Sequence, residues 1–253
     1  IEWTEKINHI RICSDMKKTT FVLTAIVCAL PALSQENRAP YTHATFQPGK
    51  RSIENLIKFP KTTFSGELAV ICSSRATAKG RIKNARCSSP QDPDLDFTMA
   101  VSRRFNSARV ISATVNGKKE EVDFQFTVVF SSNREEQNIV VHENNGKNIE
   151  RFGNDYTSAQ RYSPNPFPAR CSGWRRDDLI VEVAIVEKTG RAKAIEVMSS
   201  TAGVDARCKD ALQTQLSNAR WIPAISNGEF VESVWVNPIV LTKLSFKREQ
   251  KLE

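Results

Sequence analysis

The sequence predicts an α+β fold of two tandem ββαβ domains, each a three-stranded antiparallel sheet with a helix packed on one face. Three observations lead there. First, Ala108 to Gly117 (ARVISATVNG) returns 111 positions later as Ala219 to Gly228 (ARWIPAISNG), with six of ten residues identical. Self-similarity at a fixed separation marks two copies of one structural unit. Second, each copy is preceded by helical spacing, and its Asn-Gly turn opens a long β-type run. Third, the cysteines left after the leader is set aside fall two to a copy.

The leader is read from charge and hydropathy. Met16-Lys17-Lys18 is basic, Phe21 to Leu30 is apolar, and Ala32-Leu33-Ser34 is a small-x-small cleavage signal. Residues 1–15 are therefore expected to be upstream sequence, and 16–34 a signal peptide cleaved after Ser34. The apolar run is about half the roughly 20 residues that span a bilayer. The expected location of the processed protein is the periplasm. Residues 35–58 read as an N-terminal linker, 59–132 as the first domain, 133–163 as a polar linker and 164–248 as the second domain.

An exported chain uses cysteine for disulfides. Cys13 and Cys28 precede the cleavage point, leaving Cys72, Cys87, Cys171 and Cys208. One bridge per domain is expected, Cys72–Cys87 and Cys171–Cys208. A two-residue turn at Lys79-Gly80 puts Cys72 opposite Cys87, whereas a four-residue loop shifts the register by one pair. Cys208 lies on the helix face that meets the sheet, and Cys171 where a leading segment enters the first strand. There is no C-x-x-C pair, and only His43 and His142 follow the leader, so no metal and no cofactor are expected. Past residue 34 the chain has 32 Lys/Arg against 25 Asp/Glu, a net +7. These charges are scattered, which argues for a solvated basic surface or acidic envelope partners and against nucleic acid.

In the second copy, Leu179 to Val186 and Arg191 to Met198 flank Glu187-Lys188-Thr189-Gly190 as a hairpin. Cys208, Leu212, Leu216 and Ala219 then recur on one helix face, Pro223 stops the helix, and Phe230 to Leu241 forms the last strand. In the first copy, Glu67 to Ser73 and Arg81 to Cys87 form the hairpin, and Phe97, Val101, Phe105 and Ala108 take the helix positions. Its last strand alternates Val122, Phe124, Phe126, Val128 and Phe130 with Glu121, Asp123, Gln125 and Thr127, the period of a strand with one buried face. Between the copies only Gln137 to His142 reads as a possible strand.

This arrangement resembles the TonB C-terminal domain family. The residues that carry the resemblance are Pro166-Phe167-Pro168-Ala169, the turn Lys188-Thr189-Gly190-Arg191, Ser199-Ser200, Val204-Asp205, Ala219 to Ala224 and Asn227-Gly228. It covers about residues 164–246; residues 59–131 are a degenerate copy, with Ser112 where the second has Pro223. The resemblance implies a non-catalytic periplasmic module that adds an extended segment of an outer-membrane transporter to its sheet edge. An energy transducer of that family also needs a retained membrane helix and a Pro-rich spacer, and the leader and residues 35–57 have neither character.

No nucleophile elbow or phosphate loop is present. His142 beside Glu143 reads as solvated rather than catalytic, and no catalytic residue is expected. Trp235 takes the position of Phe124 and reads as core; Trp174 reads as either a lid over the sheet edge or a surface contact. The row of the last strand facing away from the helix is polar in the first copy but carries Val234, Val236, Pro238 and Val240 in the second. Pro238 cannot donate a ladder hydrogen bond, which argues for an edge strand. These four residues are the expected partner-binding edge for an envelope protein or extended peptide; packing of the two domains on each other is the competing explanation of the apolar row. A homodimer, as part of a self-associating envelope protein with no peptide ligand, is the second functional reading.

Overall fold

Strands form where the sequence alternates or is rich in β-branched residues, and most of the rest is turns and short pieces. The computed structural model describes residues 40–133, 136–163, 178–199 and 206–241. The leader, Cys171 and Trp174 lie outside the described residues. The chain opens with β1 (Tyr41–Thr42), β2 (Thr45–Phe46) and α1 (Ile53–Leu56). β3 (Gly66–Ala76) and β4 (Ile82–Ser88) follow, then α2 (Asp96–Ser102). Short strands β5 (Val110–Ile111), β6 (Ala113–Val115) and β7 (Lys118–Glu120) lead to β8 (Val122–Ser132). Next come β9 (Gln137–His142), α3 (Ile149–Phe152) and β10 (Gln160–Ser163). The second half has β11 (Asp178–Val186), β12 (Ala192–Ser199), α4 (Ala206–Asn218), β13 (Arg220–Ile222), β14 (Ala224–Ser226), β15 (Glu229–Val231) and β16 (Ser233–Leu241). The class is α+β, strand-rich with several small antiparallel sheets.

Two sheets dominate. In the first half the order is β4-β3-β8-β9, and in the second β12-β11-β16. The residues expected on the two helix faces are buried: Phe97, Val101, Phe105 and Ala108 in the first half, and Cys208, Leu212, Leu216 and Ala219 in the second. The helices are shorter than expected, however: α2 ends at Ser102, so Phe105 and Ala108 follow it, and α4 ends at Asn218, where pairing of β13 with β10 takes over before Pro223 is reached. The first core is aromatic. Phe97 and Phe130 meet edge-to-face at 5.0 Å, and Phe46 packs the same way on Phe124 and Phe126. Such geometry sets a ring's positive edge against its neighbour's negative face.

The β3–β4 turn differs from the expected two-residue turn. Thr77 to Arg81 form a five-residue loop closed by Thr77 N–H to Arg81 C=O and Gly80 N–H to Thr77 C=O. A bulge then adds one residue on β4 at Asn84, whose φ is +51°. The bulge restores the register that the shorter turn would have produced, so Cys72 pairs with Cys87 and the two are disulfide-bonded. The β11–β12 hairpin repeats the turn and the bulge, with Ala194 at φ +47° in the place of Asn84. Glycine is required at both turns. A Cβ on Gly80 would lie 2.6 Å from the carbonyl oxygen of Val110, and one on Gly190 2.5 Å from that of Trp221.

The segments read as linkers are built into the fold. β1 and β2 pair with β6 and β5, and β10 pairs with β13. β9 adds a fourth strand beside β8. Asn144, Asn145, Asn148, Tyr156, Gln160 and Arg161 are buried. Their polarity misleads because each finds partners: Gln160, for example, receives Ala44 N–H at 2.8 Å and donates to Ala44 C=O at 2.8 Å, as a neighbouring strand would.

The Cys72–Cys87 bridge closes a 15-residue separation, for which the chain-entropy model gives about 3 kcal/mol. Replacing both cysteines with Ser is expected to lower unfolding stability by about that amount; urea titration of the pure protein checks it, and no loss would show that β3 and β8 hold the hairpin alone.

Two half-buried groups tie down the N-terminal arm and titrate oppositely. Burial lowers the pKa of His43 to about 4 against its bond to Pro223 C=O. Burial raises that of Glu143 to about 7, although its carboxylate accepts Phe46 N–H. His43 therefore adds stability that is lost as pH falls from 6.5 towards 4. Glu143 adds stability that is lost as pH rises from about 4.5 to 7. Relative to the native chain, Glu143→Gln should gain melting temperature as pH rises through 4.5–7, and His43→Gln as pH falls from 6.5 to 4. Parallel melting curves for all three proteins across pH 4–8 would contradict both assignments.

Candidate functional site

Parity along β16 places the site. Ser233 and Trp235 point inward and are buried, whereas Val234 is 37% exposed and Val236 half-buried on the opposite face. Cross-strand register puts Val181, Val183 and Ile185 of β11 beside Pro238, Val236 and Val234. Met198, paired with Val181 on the far side, extends the row and is exposed. The outer face of the second sheet is thus a band of apolar side chains that open to solvent. The Val240 side chain lies outside the described residues.

β16 is an edge strand of its sheet. Its outward main-chain groups are met by side-chain amides. Asn148 accepts Val234 N–H at 3.0 Å and donates to Val234 C=O at 2.9 Å. Gln125 and Asn145 donate to Val236 C=O at 2.6 and 3.3 Å. Since outward-pointing residues alternate, Pro238 belongs to the same set, and its missing N–H interrupts no bond to β11.

The burial of the first half's outer row is the reverse of the sequence expectation. The polar row of the first half, Asp123, Gln125 and Thr127, is buried, because the segment after β9 and the edge of β16 lie across it. Alternation shows which side chains share a face, but hydrogen bonding decided which face was covered.

Between the halves lies a chain of alternating charges that sequence reasoning missed. Arg75 bridges Glu121 and Asp123 at 3.0 and 2.9 Å, Asp123 takes Arg161 at 2.7 Å, and Arg161 stands 3.7 Å from Glu182. The Arg161 guanidinium also lies over the rings of Trp235 and Trp221, at 5.0 and 5.9 Å. Burial opposes its charge, yet Asp123 and Glu182 outweigh burial and raise its pKa. Burial likewise raises the pKa of Glu182, against the pull of Arg161 and a bond from Asn237.

The repeat explains the position. Arg161 pairs with Trp221 as Phe46 pairs with Val110, so Arg161 stands where the first half has Phe46. By the same registers, Glu182 and Asn237 stand where it has Cys72 and Phe126. The signal open to sequence reasoning was Glu182, a carboxylate on the inward row of a strand otherwise Ile180, Ala184 and Val186.

Cys208 is buried and disulfide-bonded, while the expected partner Cys171 lies outside the described residues. Trp235 is core, packed at 4.7 Å edge-to-face on Trp221. His142 is half-buried opposite Thr127 on β9. Among the described residues no group of His, Cys, Asp and Glu is arranged to hold a metal, and no helix is long and apolar enough to cross a membrane. Comparison with protein-family models, curated proteins and solved structures finds no match.

Removing one member of a buried ion pair leaves the other charge unpaired, at about 3–5 kcal/mol. Arg161→Met is expected to cost that much, and Arg161→Met with Glu182→Leu to recover most of it, as Asp123 keeps Arg75. Calorimetry of both variants checks this; a double variant no better than the single would show that the charge of Glu182 is not the source of the loss.

Proposed function

We propose that this protein is a non-catalytic binding module of the cell envelope that captures an extended segment of another envelope protein by adding it to the β16 edge. On this reading the chain carries two copies of a ββαβ domain of the TonB C-terminal type. It is exported, its leader is removed at Ser34, and it works in the periplasm, in association with outer-membrane transport. The first copy is the mount and the second copy presents the binding strand.

The observation that carries the reading is the state of β16. Val234 N–H, Val234 C=O and Val236 C=O are met by side-chain amides rather than by a neighbouring strand, beside an apolar face left in solvent. An incoming strand would displace the buried amides of Asn148, Asn145 and Gln125 from β16 and make the bonds to Val234 and Val236 with its own peptide groups. Val234, Val236 and Pro238, with Val181, Val183 and Ile185 behind them, would grip its alternate side chains. Arg161 and its partners keep the second sheet in place against the first while the edge is engaged. A surface of this kind also suits pairing of two copies of the chain, so self-association is measured with capture.

Capture from an envelope extract, read beside the solution mass of the pure protein, tests the reading. Val234→Thr with Val236→Thr should leave the melting temperature close to native and weaken capture roughly tenfold. Asn148→Ala should cost about 1 kcal/mol of stability yet strengthen capture, because it frees the edge. If Asn148→Ala leaves capture unchanged, strand addition at β16 is wrong. If the valine changes alter only the solution mass, the protein is a self-associating structural component.

A further inference from the structure

The first half carries a cleft of about 420 Å³ that the binding role of the second half does not use. Lys79, Arg109 and Lys119 contribute to its wall, with Thr42, Thr114 and Ser112, and no carboxylate lines it. None of the three cations is in an ion pair among the described residues. Arg109 is held in place: its Nη1 donates to the main-chain oxygens of Asn106 and Ala108, at 3.3 and 2.9 Å, and its Nε and Nη2 have no acceptor among the described residues. Thr42 Oγ1 accepts Thr114 N–H and shares a hydrogen bond with Thr114 Oγ1, at 3.1 and 2.8 Å. Two hydroxyls that share one bond leave one O–H proton free to donate.

The internal repeat shows what this concavity is built to do. Its counterpart in the second half has Thr189 for Lys79, Pro223 for Ser112, Ile225 for Thr114 and Phe230 for Lys119, with Gly190 and Arg220 retained for Gly80 and Arg109. That counterpart is filled by the chain itself. His43 Nε2 donates to Pro223 C=O at 2.7 Å, and the rings of Tyr41 and His43 lie 6.0 and 6.5 Å from that of Phe230. The place that receives two uncharged side chains in one half is therefore open and cationic in the other.

We infer that the cleft lined by Lys79, Arg109 and Lys119 binds a phosphate-type oxyanion, carried on a small organic phosphate or on a lipid headgroup. Three cations with no carboxylate suit a multiply charged oxyanion, and the free edge of a guanidinium matches two phosphate oxygens at once. The cleft is larger than phosphate alone, which leaves room for the group that carries it. Ile111, 53% exposed on the cleft wall, offers that group an apolar contact.

The full processed chain is titrated with inorganic phosphate and glycerol 3-phosphate by calorimetry, and with vesicles of phosphatidylcholine alone or mixed with phosphatidylglycerol by co-sedimentation. Binding of the soluble phosphates, weakened by salt, identifies a soluble ester; binding only to the anionic vesicles identifies a headgroup. In either case Lys79→Glu and Lys119→Glu, both on exposed side chains, should each weaken binding roughly tenfold or more. The control Arg220→Gln, at the filled counterpart, should leave it unchanged. The inference is overturned if no probe binds, or if binding survives both lysine replacements.

Discussion

A guanidinium buried between two sheets is the constraint on which the rest of this structure depends. Isolated, a charge so placed would cost many kilocalories, and it is tolerated only where opposite charge and polar partners surround it. Arg161 meets Asp123 from the first half and Glu182 from the second, and it lies over Trp221 and Trp235. Because those partners come from different halves, the charge is compensated only when both halves are folded and docked. The junction is thereby specific as well as stable: a slip of β10 by one residue along β13 would turn Arg161 to the other face and leave Glu182 without its cation.

The same logic governs the amides. Gln160 serves Ala44, and Asn148 serves Val234, each making the pair of bonds that a neighbouring strand would make. Side-chain amides can therefore close a sheet edge without committing it to a strand ladder. An edge closed in this way is protected from indiscriminate pairing, and at β16 its closure rests on three side chains, Asn148, Asn145 and Gln125. On the proposed reading, the apolar outer face of β11 and β16 would be the complementary half of the site, since main-chain pairing alone carries no sequence selectivity.

How much of this was legible in the sequence depends on whether the information is local. Helix spacing identified Phe97 and Val101, and Cys208, Leu212 and Leu216, because a 3.6-residue period is written in neighbouring residues; Phe105, Ala108 and Ala219 are buried as expected but lie past the helix ends. Alternation in β8 and β16 gave correct parity, so Trp235 was placed in the core and Val234 outside it. Cover was not legible, since nothing in Asp123-Phe124-Gln125 says that a second sheet edge will lie across the polar row. The segment 133–163 was hidden for the same reason: Asn145 and Asn148 look like loop residues until β16 offers them main-chain partners. The pairing of Cys72 with Cys87 was reached through a shorter turn than the one present, and the bulge at Asn84 made up the difference. The charged centre lay hidden because Arg161 and Phe46 occupy equivalent places while sharing no chemistry.

The two halves are one folding unit joined at Arg161. Equilibrium unfolding in urea tests it most directly when the halves are followed by separate probes. Fluorescence of Trp221 and Trp235 reports the second half, and hydrogen exchange of the β3 and β8 amides reports the first. The account predicts one cooperative transition with a common midpoint for both signals. Exposure of the tryptophans at a lower urea concentration, with the β3 and β8 amides still protected, would contradict it.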